Sequence, residues 1–263
     1  MILFLLACAS SKSGSHGSSD TLDETFTDSA GLSAKVALVL PEEEPDGAAP
    51  GVLLFFTWDF GNQEYFDQAE LHAELAQEHG LIVASMASPK TPGDSGCWWA
   101  PRVEDNAAYV DEFVQARLVD ELGIDTDRVF TTGLSGGSDF AAAFHFHTDY
   151  RYGGGAVALC GGDIPRLNGG GCEPDIDPEP ALTPTDLSTD TLDAVRYDLS
   201  LTADDFLREH AEAAAAYYDD LGFSHVRQRI VEGSGHCGFD SGWEGLDVFA
   251  EGLDYVDPRT NPG

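Results

Sequence analysis

Short apolar runs that alternate with helically spaced segments constrain this chain more than any other feature. Residues 195–201 read as a strand, and Gly51-Val52-Leu53-Leu54-Phe55-Phe56, Leu81–Met86 and Gly155-Ala156-Val157-Ala158-Leu159-Cys160 have no regular polar face. That is the mark of strands covered on both sides. Residues 63–79 carry Phe66, Ala69, Leu71, Ala73, Leu75 and Ala76 at helical spacing, and His79-Gly80 stops them. Val103, Ala107, Val110, Val114, Leu118 and Leu122 repeat the pattern up to Gly123. Two more helices are expected, one ending near Leu221-Gly222 and one from Trp243 that buries Leu246, Phe249, Leu253 and Val256. Residues 33–40 and 225–231 alternate, as strands with one more open face do. Strand following helix throughout implies an α/β fold with a mostly parallel sheet and helices on both faces. In such a sheet, ligands bind beyond the carboxyl ends of the strands.

The most informative turn lies at the middle of this pattern. Arg128-Val129-Phe130 leads into Thr131-Thr132-Gly133-Leu134-Ser135-Gly136-Gly137-Ser138, and a helix expected to start at Gly136 runs on through Asp139-Phe140-Ala141-Ala142-Ala143-Phe144. A Gly-x-Ser-x-Gly between strand and helix describes a nucleophile elbow, whose small residues let the chain turn sharply and aim a serine hydroxyl into a cleft. A serine hydroxyl is a weak nucleophile and needs a base within hydrogen-bond reach. His236 suits that role, because it stands in Gly233-Ser234-Gly235-His236-Cys237-Gly238 after the last strand, where no packing requirement calls for a histidine. His72, His79, His145, His147 and His210 read as helix residues, His225 opens a strand, and His16 precedes the domain.

A carboxylate must orient the imidazole and stabilise its charged form. It is expected at a strand end between the serine and the histidine, where Asp204 and Asp205 follow Thr202. Asp205 is the preferred acid and Asp204 the alternative, with capping of the next helix as the other role open to Asp204. The oxyanion hole is expected from the backbone N–H of Gly136 and one N–H of the loop after the 51–56 strand, at Trp58 or Asp59. Trp98 and Trp99, beside Cys97, are candidate substrate-stacking residues. At least one of them packing in the core is an equally natural reading. No spacing matches a metal site, and no cofactor is expected.

These residues resemble the α/β-hydrolase group that holds extracellular polyhydroxybutyrate depolymerases, feruloyl esterases and acetylxylan esterases. The likeness rests on Ile124-Asp125-Thr126-Asp127-Arg128-Val129 before Gly133-Leu134-Ser135-Gly136-Gly137, on Cys97-Trp98-Trp99, and on Gly235-His236-Cys237. It covers roughly residues 34–256. It implies the α/β-hydrolase fold and hydrolysis of small-molecule or polymeric carboxylic esters through an acyl-enzyme, by a chain expected to be monomeric. The chain departs from the group at Thr57-Trp58, where members commonly have His-Gly. A peptidase on the same fold, or a silent binding scaffold, would share the remaining features.

Composition sets the surroundings. The formal net charge of −34 makes nucleic acid and anionic membrane surfaces poor partners. A salt-adapted source or an acidic exported protein would account for it. The start, Met1-Ile2-Leu3-Phe4-Leu5-Leu6-Ala7-Cys8, is too short to span a bilayer and resembles the end of a secretory signal with a bacterial lipobox. Lipidation of Cys8 would attach the protein to the outer face of a bacterial membrane. The missing basic segment points to a start upstream of Met1. Residues 1–32 are thus expected to be a signal remnant and Ser/Gly-rich tether, and residues 33–263 the catalytic domain. Cys97, Cys160, Cys172 and Cys237 remain, enough for two disulfides in three possible pairings. Cys160 with Cys172, across a short Gly-rich loop, and Cys97 with Cys237 is the expected pairing. The acid-rich excursion 161–193 reads as a lid or substrate loop. Its Glu173, Asp175, Asp177 and Glu179 fit a solvated face better than a calcium site.

Overall fold

The computed structural model describes residues 21–41, 48–89, 96–99, 103–166, 180–184 and 187–259. Eight strands form one sheet: β1 (Thr21–Thr27), β2 (Ser33–Val39), β3 (Gly51–Phe56), β4 (Leu81–Met86), β5 (Val129–Leu134), β6 (Gly154–Leu159), β7 (Val195–Thr202) and β8 (Val226–Val231). Their order is β1-β2-β4-β3-β5-β6-β7-β8. The β1–β2 and β2–β4 pairs are antiparallel and the rest are parallel. The α-helices are α1 (Tyr65–Glu78), α2 (Val103–Phe113), α3 (Gly136–His147), α4 (Thr189–Ala194), α5 (Arg208–Asp220) and α6 (Leu246–Val256), with a 3-10 turn at Asn62–Glu64 and a π-helical segment at Val114–Val119.

The continuous apolar runs serve two helical layers at once. On β3, Val52, Leu54 and Phe56 pack with Val110 and Phe113 of α2 and Phe140 and Phe144 of α3. Leu53 and Phe55 point the other way, to Ala69 and Ala73 of α1 and Phe249 and Leu253 of α6. On β7, Tyr197, Leu199 and Leu201 meet Ala211, Ala214 and Tyr218 of α5. Fully burying each such side chain stabilises the fold by about 1.5–3 kcal/mol. The opposite face of β7 carries Asp198, completely buried but held by Arg227 (2.8 Å) and Arg229 (2.7 Å) of the neighbouring β8. A buried charge of this kind is tolerated only when paired.

Two sequence expectations need correction here. The sheet begins at Thr21, inside the stretch read as a tether up to residue 32. β1 lies along β2 in full register, from Thr21 opposite Val39 to Thr27 opposite Ser33. Its half-exposed residues gave no apolar run, since an edge strand buries little. The excursion 161–193 also ends in structure: α4 is capped by Ser188, whose hydroxyl accepts the Thr191 N–H at 3.1 Å. Cys8 and the acidic cluster at 173–179 lie outside the described residues.

Candidate active site

The carboxyl ends of β3, β5, β7 and β8 meet at one place. At the end of β5, Ser135 has φ 52° and ψ −126°, a conformation that a non-glycine residue holds only when its surroundings impose it. The flanking glycines make that possible. A Cβ on Gly133 would lie 2.7 Å from the Phe56 carbonyl oxygen, and one on Gly137 would lie 2.2 Å from it. The elbow is thus pressed against the end of β3. Ser138 locks the turn, its hydroxyl donating to the Ser135 carbonyl at 2.6 Å.

His236 Nε2 stands 2.8 Å from Ser135 Oγ, and its Nδ1 stands 2.9 Å from Asp205 Oδ1. A carboxylate only accepts, so the proton belongs on Nδ1 and Nε2 is left to accept from the serine. The Asp205 side chain is fully buried. It also accepts from the N–H groups of Leu207 (2.9 Å) and Cys237 (3.4 Å). Asp204, one residue earlier, instead accepts the Gly235 N–H at 2.6 Å, and Thr202 Oγ1 donates to the Gly235 carbonyl at 2.6 Å. Of the two acids, Asp205 faces the imidazole and Asp204 fastens the loop that carries it. The helix-capping role considered for Asp204 is not found, since the N-cap of α5 is Leu207 and no side chain caps it.

The loop after β3 lies over the elbow. The Thr57 carbonyl oxygen would be 2.5 Å from a Cβ on Gly137, and both Asp59 carboxyl oxygens 2.3 Å from one on Gly136. The Asp59 side chain therefore borders Gly136. Thr57 donates to Asn62 Oδ1 at 3.2 Å, and Asn62 in turn accepts the Ser88 N–H at 2.8 Å. Polar bonding of the loop at Thr57 thus occupies the place of the His-Gly pair. Burial pushes the Asp59 carboxyl up to about 6.

No protein-family model matches the sequence, and no curated protein matches it. Solved structures do. One from a study of two fungal esterases from Rhizomucor miehei superposes with TM-score 0.65 at 15% identity, covering 92% of this chain and 84% of that one. A ferulic acid esterase superposes with TM-score 0.62 at 13% identity, over 92% of this chain and 98% of its own. A thermostable esterase gives TM-score 0.60 at 15% identity over 89% of this chain, which spans only 63% of that longer protein. With strand order, elbow and neighbours in agreement, the architecture is settled. The fold is the α/β-hydrolase fold.

Within the α/β-hydrolase fold, Trp98 and Trp99 are core residues. Trp98 is fully buried and Trp99 is 3% exposed. Trp98 stacks on Phe140 of the elbow helix at 4.8 Å, and Asn106 holds its carbonyl at 2.6 Å. Both belong to the core cluster that includes Phe56 and Phe140, and their burial leaves little ring surface open for stacking. The disulfide expectation also changes: Cys160, at the end of β6, is bonded to Cys237, next to His236. The Cys160–Cys172 and Cys97–Cys237 pairs are thereby excluded. Sequence spacing favoured the short loop, whereas the fold brings the ends of β6 and β8 together across 77 residues. Cys97 is disulfide-bonded too.

Cys160, Cys237 and His236 have ligand atoms within 4.8 Å of one another. The sulfurs are bonded to each other and the imidazole is engaged at both nitrogens, so this trio does not suit a metal ion. His72, His145 and His147 are lowered to about 4 by burial, which keeps them neutral structural groups.

Two features escaped the sequence reading. The Phe206 ring lies 4.3 Å from the His236 ring, and Trp243 stands edge-on to Trp58 at 4.5 Å. Phe206 follows Asp205 directly, so its place at the site mouth was implicit in that assignment. Nothing local to Trp243 signals its partner.

Proposed function

We propose that this protein is a serine esterase, hydrolysing carboxylic esters through an acyl-enzyme on Ser135. One observation carries the reading: the Ser135–His236–Asp205 hydrogen-bonded chain, at 2.8 and 2.9 Å, set on an elbow from which α3 starts at Gly136. His236 takes the serine proton as Oγ attacks the ester carbonyl, and Asp205 stabilises the imidazolium that forms. The backbone N–H of Gly136 and one from Trp58 or Asp59 receive the oxyanion. The imidazolium then returns its proton to the leaving alcohol, and water repeats the sequence on the acyl-enzyme.

The resemblance directs the substrate search toward polyester-derived esters and feruloyl or acetyl esters of plant cell walls. Export or lipid anchoring through Cys8 is part of the same proposal. It is supported by the lipobox-like start and by cysteines held as disulfides, which persist in oxidising compartments. Labelling with a fluorophosphonate probe tests the core claim. An adduct on Ser135, absent in Ser135→Ala, is expected, together with ester turnover that falls roughly a million-fold in that variant. Folded protein that takes no label and cleaves no ester would leave a silent scaffold.

A further inference from the structure

The side chain of Asp59 has no part in the chemistry above, yet it reaches the reacting centre. Its two carboxyl oxygens abut the Cα of Gly136, whose N–H is assigned to the oxyanion. Oδ1 is buried and accepts no hydrogen bond. Among the described residues, every arginine and Lys35 are engaged elsewhere, with an acidic side chain or, for Arg196, a carbonyl. Among the described residues nothing cationic answers this carboxylate, and burial raises its proton affinity. A negative charge beside a developing oxyanion opposes the reaction unless something positive arrives with the substrate.

The mouth of the site is built to receive such a group. Five large apolar side chains are exposed among the described residues, and three of them belong to site loops: Phe60 (61%), Phe206 (70%) and Trp243 (42%). Phe206 lies against His236, and Trp243 against Trp58 next to Asp59. Aromatic faces beside a carboxylate are the recognition chemistry of alkylammonium ions. The field of a chain with net charge −34 draws the same ions in.

Resting on the esterase reading above, we infer that Asp59 and the aromatic rim of Phe206 and Trp243 select esters that carry an aliphatic ammonium group. The test uses the full chain and two matched pairs of esters. Acetylcholine is compared with the acetate ester in which carbon replaces its ammonium nitrogen. The p-nitrophenyl ester of a trimethylammonio-butanoic acid is compared with its carbon isostere. The first pair carries the charge on the alcohol side, the second on the acyl side. The cationic member of at least one pair is expected to have kcat/KM on the order of tenfold higher, or more. In Asp59→Asn that ratio falls toward one, while turnover of the neutral ester rises. Asp59→Ser provides the same comparison if the Asn variant does not fold.

A readout independent of turnover is protection of Ser135: tetramethylammonium should slow fluorophosphonate labelling of the wild type, and tert-butanol should not. Neutral esters cleaved with no cationic preference in either pair would overturn this inference and leave the esterase reading standing. A preference that persists in Asp59→Asn, or labelling indifferent to tetramethylammonium, would also overturn it. No label on Ser135 and no turnover of any ester would overturn both.

Discussion

Asp204 and Asp205 are chemically identical neighbours, and the backbone at the end of β7 sends them to different tasks. Asp205 accepts from the imidazole and Asp204 from the Gly235 N–H. Asp205→Asn can present an amide N–H to Nδ1, which favours the wrong tautomer, and a fall in kcat of about ten-thousand-fold is expected. Asp204→Asn should lower the melting temperature more visibly than kcat, since it weakens a charge-assisted bond worth about 1.5–3 kcal/mol. Steady-state kinetics with thermal melts on both variants check the pair; comparable losses of kcat would remove the distinction. Asp139, in the first turn of α3, offers a second residue-scale prediction. Burial, then the nearby Asp163 carboxylate, push it up to about 8, against the Gly162 N–H that donates to it at 2.6 Å. A carboxyl with a raised folded-state pKa binds its proton more tightly in the native state. Stability from this group is full near pH 4 and declines as pH rises toward about 8. Asp139→Asn has no proton to lose, so its melting temperature should gain on the wild type progressively across that window. A constant difference would refute the assignment.

At the scale of elements, the site is a meeting of strand ends, and the Cys160–Cys237 disulfide joins two of them. One sulfur is anchored at the end of β6, beside the strand that leads into Ser135, and the other sits next to His236. Replacing both cysteines with alanine releases a loop closed across 77 residues and should lower stability by about 4 kcal/mol. It should also loosen the His236 loop, so kcat is expected to drop while KM changes little. Chemical denaturation and kinetics of the double variant, and of the reduced protein, would show this. Unchanged kcat would mean that Asp204 and Thr202 alone hold the loop. The strands and long helices were legible because each advertises its burial in its own residues: β3 and β4 by unbroken apolar runs, α1 and α2 by helical spacing. β1 was not, because an edge strand with partly exposed side chains is indistinguishable from polar linker until its partner is known.

The whole molecule carries its charge far out of balance. With a net charge of −34 and the described basic side chains already paired, the acidic surface repels itself in the folded state. Screening shortens that repulsion, with a Debye length of about 10 Å at 0.1 M salt and about 3 Å at 1 M. Melting temperature should therefore rise from low to molar sodium chloride. The cation-selective binding inferred for Asp59 should weaken over the same range, because it draws on the same field. Parallel melts and tetramethylammonium protection assays would test both trends.

Local pattern alone determined the layered α/β architecture, the serine elbow and the order of nucleophile, acid and base candidates. Hydrophobic period and turn sterics act over a few residues, and a single sequence displays them in full. Tertiary structure decided what depends on residues distant in the chain meeting in space. It chose Asp205 over Asp204 by the direction of a side chain. It paired Cys160 with Cys237 because β6 and β8 converge, and it buried Trp98 against Phe140. It also set the Asp59 carboxylate over Gly136, which no spacing along the chain foretells. The Gly133-x-Ser135-x-Gly137 turn could be read from its glycines; what surrounds the serine is a property of the closed sheet.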